Sequence, residues 1–213
     1  MLPAHNTTAT PRRWGSPDKR RAILSGAFTV FARDGYARAN IDAIATAAQV
    51  STRTIYNHFA DKADLFNTLI DESATRVAHA QIAIIDEHLS TVTDLRADLL
   101  AFGQAWAAPV PEHAQHFALV RHINADSAHI PQATITAWQQ AGPLRVRREL
   151  ARRLQHLVDR ELLRVADPDR MAQHLVLLTA VANPALPTAA ASQEEITELV
   201  TSGILAFLYG YLP

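Results

Sequence analysis

The chain has 213 residues, 48% of them apolar and 19% charged, with a formal net charge of -1 and no cysteine. That length supports a full hydrophobic core without covalent staples, and the missing thiols exclude a disulfide scaffold. No apolar run reaches the roughly 18 residues of a spanning helix, and Met1–Arg13 lacks the basic start and apolar stretch of a signal peptide, so a soluble cytoplasmic protein with no membrane partner is expected.

The charge is unevenly spread. Residues 1–60 carry eight Lys and Arg against three Asp and Glu, whereas residues 61–213 carry twelve against eighteen. A basic end on an acidic body points to polyanion binding in the first quarter of the chain.

In chain order, residues 1–17 are polar, hold three prolines and the pair Arg12-Arg13, and read as a flexible arm. From Asp18 the pattern turns helical, with Ile23, Ala27 and Phe31 recurring every fourth residue until Gly35. Asn40 reads as the N-cap of Ile41–Ala48, Ser51 as the cap of Thr52–Phe59, and Asp61 as the cap of a long fourth helix reaching about His88. Only Gln49, Val50 and Ser51 separate the second helix from the third, which makes a helix-turn-helix candidate. Further helices are expected at roughly 92–107, 112–128, 131–141, 144–165, 168–182 and 193–210, punctuated by prolines. No segment sustains strand alternation. The fold class is all-α: a helix-turn-helix unit at 18–64, the candidate DNA-binding domain, and a larger helical body at 65–213.

A short capped helix can lie in a major groove with its polar first turn against base edges. Thr52, Arg53 and Thr54 form that turn. Arg53 is suited to bidentate guanine reading, and Thr52 or Thr54 to a base or a thymine methyl. Tyr56, Asn57 and His58 form the next turn, and Asn40 sits where its helix start can touch a phosphate. Each has a plainer local reading: capping for Thr52, Thr54 and Asn40, core for Tyr56, solvated surface for His58 and Lys62.

Catalytic signals are missing. There is no P-loop, dinucleotide fingerprint or nucleophile elbow, and Asp126-Ser127 with His129 is too local for a triad. His113, His116, His122 and His129 lack zinc-site spacing. Neither an enzyme nor a metal or cofactor site is expected.

Residues 19–66 closely resemble the DNA-binding domain of TetR/AcrR-type bacterial regulators. The resemblance runs in register through Ile23, Ala27, Phe31, Gly35, Tyr36, Ile44, Ala45, Ala48, Val50, Ser51, Ile55, Tyr56, Phe59, Lys62, Leu65 and Phe66. One departure is Gln49, where the family commonly has Gly; a positive φ there would cost Gln about 1 kcal/mol more than Gly. The resemblance implies that Tyr56 and His58 lie near backbone phosphates and that Lys62 clamps another. It also implies a ligand-sensing body whose last two helices pair across a two-fold axis, with Leu175, Leu178, Leu199, Leu205 and Leu208 as the apolar positions available. Over most of 112–182 the body looks like the AefR-type subgroup, in the stretch from Phe117 through Arg121, at Pro131, at Gly142-Pro143 and at the Asp167-Pro168 turn.

Large aromatic side chains with polar neighbours on the central helices, Phe102, Trp106, Phe117, His122 and Trp138, are the candidate pocket for a small hydrophobic or aromatic effector. The expected function is a homodimeric, effector-responsive regulator of double-stranded DNA, in the first instance a repressor of a palindromic operator. The alternatives are a same-fold activator or a regulator controlled by a protein partner and, more remotely, a helical enzyme or binding protein with a vestigial DNA-binding unit.

Overall fold

The computed structural model describes residues 16–180 and 192–213, which form ten α-helices and no strand. These are α1 (Ser16–Arg38), α2 (Ile41–Ala48), α3 (Thr52–Tyr56), α4 (Lys62–Leu89), α5 (Leu95–Ala107), α6 (Ala114–Ala125), α7 (Gln132–Ala141), α8 (Pro143–Asp159), α9 (Pro168–Leu178) and α10 (Gln193–Tyr211). The fold is the expected all-α arrangement. Helix α1 starts at Ser16, so only the last two positions of the arm read from the sequence fall among the described residues.

Helix starts follow local capping chemistry. The Asn40 side chain accepts from the Ala43 amide at 2.8 Å, Ser51 Oγ from Thr54 at 3.1 Å and Asp61 from Asp64 at 2.8 Å. Asp94 and Asp167 do the same for α5 and α9, and Ser192 and Glu195 close a reciprocal box at the start of α10. Each such cap stabilises its helix by about 1 kcal/mol.

Two helices end on a left-handed residue, the first where the sequence reading places its end and the second earlier. After α2, Gln49 adopts a left-handed backbone (φ 54, ψ 42), with Gln49 N–H donating to Thr46 and Val50 N–H to Ala45 at 3.2 and 3.0 Å. This is a Schellman stop, and it makes the tight turn into α3. The same pattern at Glu161 (φ 58) ends α8 at Asp159, six residues before the expected boundary. Helix α3 is likewise shorter than expected, closing at Tyr56.

The apolar side chains form two clusters. One joins Ile23, Phe31, Ile44, Ile55 and Phe66 of the N-terminal unit to Leu119 and Ile123 of α6 and to Ile135 and Trp138 of α7. The other packs the second half of α4 with α5, α8, α9 and α10, around Ile85, Phe102, Leu150, Met171 and Phe207. Helix α4 runs through both. The sequence boundary after residue 64 therefore does not separate two cores, because α6 and α7 complete the underside of the N-terminal unit.

Replacing Gln49 with Gly should relieve the left-handed strain and raise stability by about 0.5–1 kcal/mol, after allowing for the greater unfolded-state freedom of Gly. Urea denaturation of the two proteins checks this; a lower midpoint for Gln49→Gly would mean that the Gln49 side chain contributes more than its backbone costs.

Candidate nucleic-acid interface and effector cleft

Helix α3 rests on Ile55, which is 1% exposed, and turns its other side outward. Arg53, Tyr56 and Asn57 all lie on that outer side. Tyr56 is 56% exposed, so it is not a core residue. No carboxylate pairs with Arg53 among the described residues, unlike Arg20, bonded to Glu72 at 2.8 Å, and Arg33, paired with Asp34 at 2.7 Å. The Arg33 guanidinium, hydrogen-bonded to Asp34, holds that carboxyl below its ordinary range. Thr52 and His58 are half-buried. Thr54 Oγ1 lies 2.8 Å from Ser51 Oγ, so its hydroxyl is part of the cap, the plainer of its two sequence readings. Asn40 caps α2 in the same local way.

Lys62 has partners within the N-terminal unit itself. Its ammonium donates to the carbonyls of Tyr36 and Ala39 at 3.0 and 3.1 Å and lies 4.7 Å from the centre of the Tyr36 ring. Two of its three N–H groups thus hold the end of α1. Lys62 positions the end of α1 within the N-terminal unit, a role that the sequence reading did not give it.

That end of α1 is bent at Gly35 (φ 76, ψ 171), a conformation open essentially to glycine alone. A Cβ there would lie 2.7 Å from the Asp126 carboxylate and 3.2 Å from His122 Nδ1. His122 therefore faces the junction of α1 with the end of α6, not a ligand pocket.

The remaining candidate pocket residues divide. Phe102 is fully buried in the second core, 5.5 Å from the Trp106 ring, and lines neither of the two compartments that the other candidates border. Trp106 borders a cleft of about 310 Å³ between α4, α5, α8 and α9, walled by Leu144, Leu150 and Val176, with Arg147 on its lining. Phe117 and Trp138 border a second compartment of about 180 Å³ with Val77, Val120 and His116. Gln81 and Pro143 line both compartments, so the two adjoin along the seam between the cores. Gln81 and Arg147 escaped the sequence reading, since nothing in their spacing distinguishes them from surface residues, and His116 was weighed there only as a metal ligand.

His116 is 8% exposed, and its Nδ1 lies 2.8 Å from Ser73 Oγ of α4. Burial, with His113 and Arg76 adding repulsion, lowers its pKa to about 4. The indole N–H of Trp138 is buried with no hydrogen-bond partner among the described residues. No cluster of His, Asp and Glu among those residues could hold a metal ion, and no described helix is long and apolar enough to cross a membrane.

Of the five leucines proposed for a dimer face, Leu178, Leu199 and Leu205 are exposed, at 41%, 49% and 38%. Leu175 and Leu208 are 0% and 5% exposed and belong to the protomer's own core, which corrects their assignment. Leu177 and Tyr209, not singled out from the sequence, extend the exposed apolar surface. Helices α9 and α10 cross closely at Gly203, where a Cβ would collide with the Leu178 carbonyl.

Residues 23–69 match the family model for bacterial regulatory proteins of the tetR family, and residues 97–213 match that of the AefR-like transcriptional repressor C-terminal domain. Among curated proteins, the DNA-binding transcriptional repressor TetR of Mycobacteroides abscessus is 34% identical over 80 residues, 38% of this chain and 38% of that one. The HTH-type transcriptional activator FasR of Mycolicibacterium smegmatis is 28% identical over 103 residues, 48% of this chain and 45% of that one. The chain thus spans less than half the length of either of these relatives. A candidate TetR-family transcriptional regulator of Mesorhizobium loti shares the fold, with a TM-score of 0.76 at 24% identity over 94% of this chain and 100% of that one.

Because the folded-state pKa of His116 lies below the ordinary 6.5, the unfolded chain takes up a proton between pH 6.5 and about 4 that the folded chain refuses. The contribution is whole above pH 6.5 and shrinks as pH falls toward 4, by up to about 3 kcal/mol. Urea denaturation across that range should show a shallower pH slope for His116→Gln than for the parent. Equal slopes would mean that His116 titrates normally in the folded protein.

Proposed function

Since the chain belongs to the TetR family of bacterial regulatory proteins, we propose that it binds a palindromic operator as a homodimer and releases it when a small hydrophobic or aromatic effector enters the seam cleft. Its relatives are DNA-binding regulators of transcription, not enzymes. The AefR-like match over residues 97–213 favours repression, and the likeness to an activator over 103 residues keeps activation as the second reading.

The observation that carries the proposal is the outer face of α3. Arg53, Tyr56 and Asn57 stand exposed on a capped helix whose underside is locked into a core shared with α6 and α7. In this reading Arg53 specifies a base, Tyr56 and Asn57 touch base or backbone, and Thr52 and His58 flank them. Phosphate contacts set the register, and base contacts carry the sequence information.

Two copies are required because one five-residue helix touches too few base pairs for selectivity. The exposed apolar residues of α9 and α10 supply the surface that supports pairing. Residues 18–64 then act as the reading unit and 65–213 as the sensing and dimerising unit. Helix α6 carries His116 and Phe117 at the cleft and His122, with Asp126 just past its end, at the Gly35 bend, so an effector that prefers one position of α6 also biases the placement of α1 and α3. This is a population shift whose size equals the effector's preference between the two arrangements.

Selection from random duplex DNA should recover a two-fold symmetric sequence with half-sites about one helical turn apart or a multiple of it. At matched salt, Arg53→Ala should weaken binding by about 1–3 kcal/mol per half-site and relax preference at one base. Uniform weakening on every duplex would make Arg53 a phosphate anchor instead. Leu199→Glu combined with Leu205→Glu should sediment as a monomer with unchanged helix content, since both side chains are exposed in the protomer; an unchanged dimer would move the interface elsewhere.

A further inference from the structure

We infer that the effector is an apolar carboxylate, held by Arg147 at the mouth of the larger compartment with its hydrocarbon part against Trp106, Leu150 and Val176. This rests on the effector-responsive reading above and adds the chemical class.

The electrostatics of the lining carry the inference. Neither compartment is lined by an Asp or a Glu, and the larger has a single ionised group, Arg147. Arg147 Nε lies 3.5 Å from Asp169, longer than a well-formed hydrogen bond, and the two side chains are 44% and 63% exposed. Such a loose, solvated pair contributes little, so an incoming carboxylate loses little by displacing Asp169. It gains a planar fork of donors matched to its two oxygens, at the edge of an apolar cleft where charge-assisted bonds strengthen.

The groups deeper along the seam agree in sign. His116 is held neutral by burial, and the Trp138 indole N–H is a buried donor with no partner among the described residues. Arg147 and Trp138 are donors that acceptor groups satisfy. A cationic effector would find no carboxylate on the lining, and only Trp106 offers an aromatic face in the larger compartment. The cleft's volume of about 310 Å³ is at the small end of ligand pockets, which suits a medium-length chain rather than a long lipid.

The test titrates the full-length protein at neutral pH with octanoate, octanol and octyltrimethylammonium, read by tryptophan fluorescence and calorimetry. Octanoate should bind at least about tenfold more tightly than octanol, and the quaternary ammonium should bind more weakly than either. Arg147→Gln should lower octanoate affinity about tenfold and leave octanol unchanged, while Arg152→Gln, on the same helix but paired with Glu149 away from the cleft, should leave both unchanged. Octanol or the ammonium binding as tightly as octanoate, no binding of octanoate, or an Arg147→Gln variant that binds it normally would each overturn the inference. Operator affinity measured in the same samples keeps the two readings apart. Arg147-dependent binding of octanoate without operator release would uphold the carboxylate class and contradict effector-controlled DNA binding. Release by octanol or octyltrimethylammonium, with no binding of octanoate, would do the reverse.

Discussion

The underside of the N-terminal unit is closed by α6 and α7 as well as by α4, and this packing constrains everything that α3 can do. Leu119, Ile123, Ile135 and Trp138 are buried in the same cluster as Ile23, Phe31, Ile44 and Ile55. Close-packed interiors transmit displacement because they contain few voids to absorb it. A shift of α6 therefore cannot be confined to the body. It must either move α1 or open a gap in the shared core, and a gap large enough to matter costs kilocalories per mole.

The join is tightest at the end of α1. Gly35 lets α6 approach so closely that a methyl group would collide with Asp126, and Lys62 fixes the adjoining carbonyls of Tyr36 and Ala39 from the start of α4. Phe31, Tyr36 and Phe66 stack around the same point, with ring centres 4.7 to 6.3 Å apart. A glycine bend, a lysine latch and an aromatic trio thus hold α1, α4 and α6 at one vertex. The cleft lies at the other end of the lever, where α4 passes from one core to the next beside Gln81 and Pro143.

Helix starts were legible in the sequence because a cap is a local event: Asn40, Ser51 and Asp61 each bond an amide three residues on, whatever the tertiary fold does. The left-handed backbone at Gln49 was raised only through the resemblance, as the position where the family commonly has Gly. The cleft was not legible. Phe102 and Trp106 lie four residues apart on one helix, yet the first is sealed in the core and the second lines the cleft, a difference set by where α8 and α9 cross rather than by spacing. Leu175 and Leu178 diverge similarly, one turn apart on α9. The bracing of α1 by Lys62 was not legible because its partners are carbonyls more than twenty residues away, and no side-chain pattern announces an acceptor on the backbone.

Hydrogen exchange on the full-length protein carrying Ile123→Ala tests the shared core most directly. Ile123 is 3% exposed on α6, and its truncation should cost about 2–5 kcal/mol. Amides of α1, α2 and α3 should lose protection together with those of α6, while α5 and α10, in the other core, lose less. Protection lost in α6 and α7 but retained in α1 to α3 would show that the DNA-reading unit is packed independently, and would contradict the account.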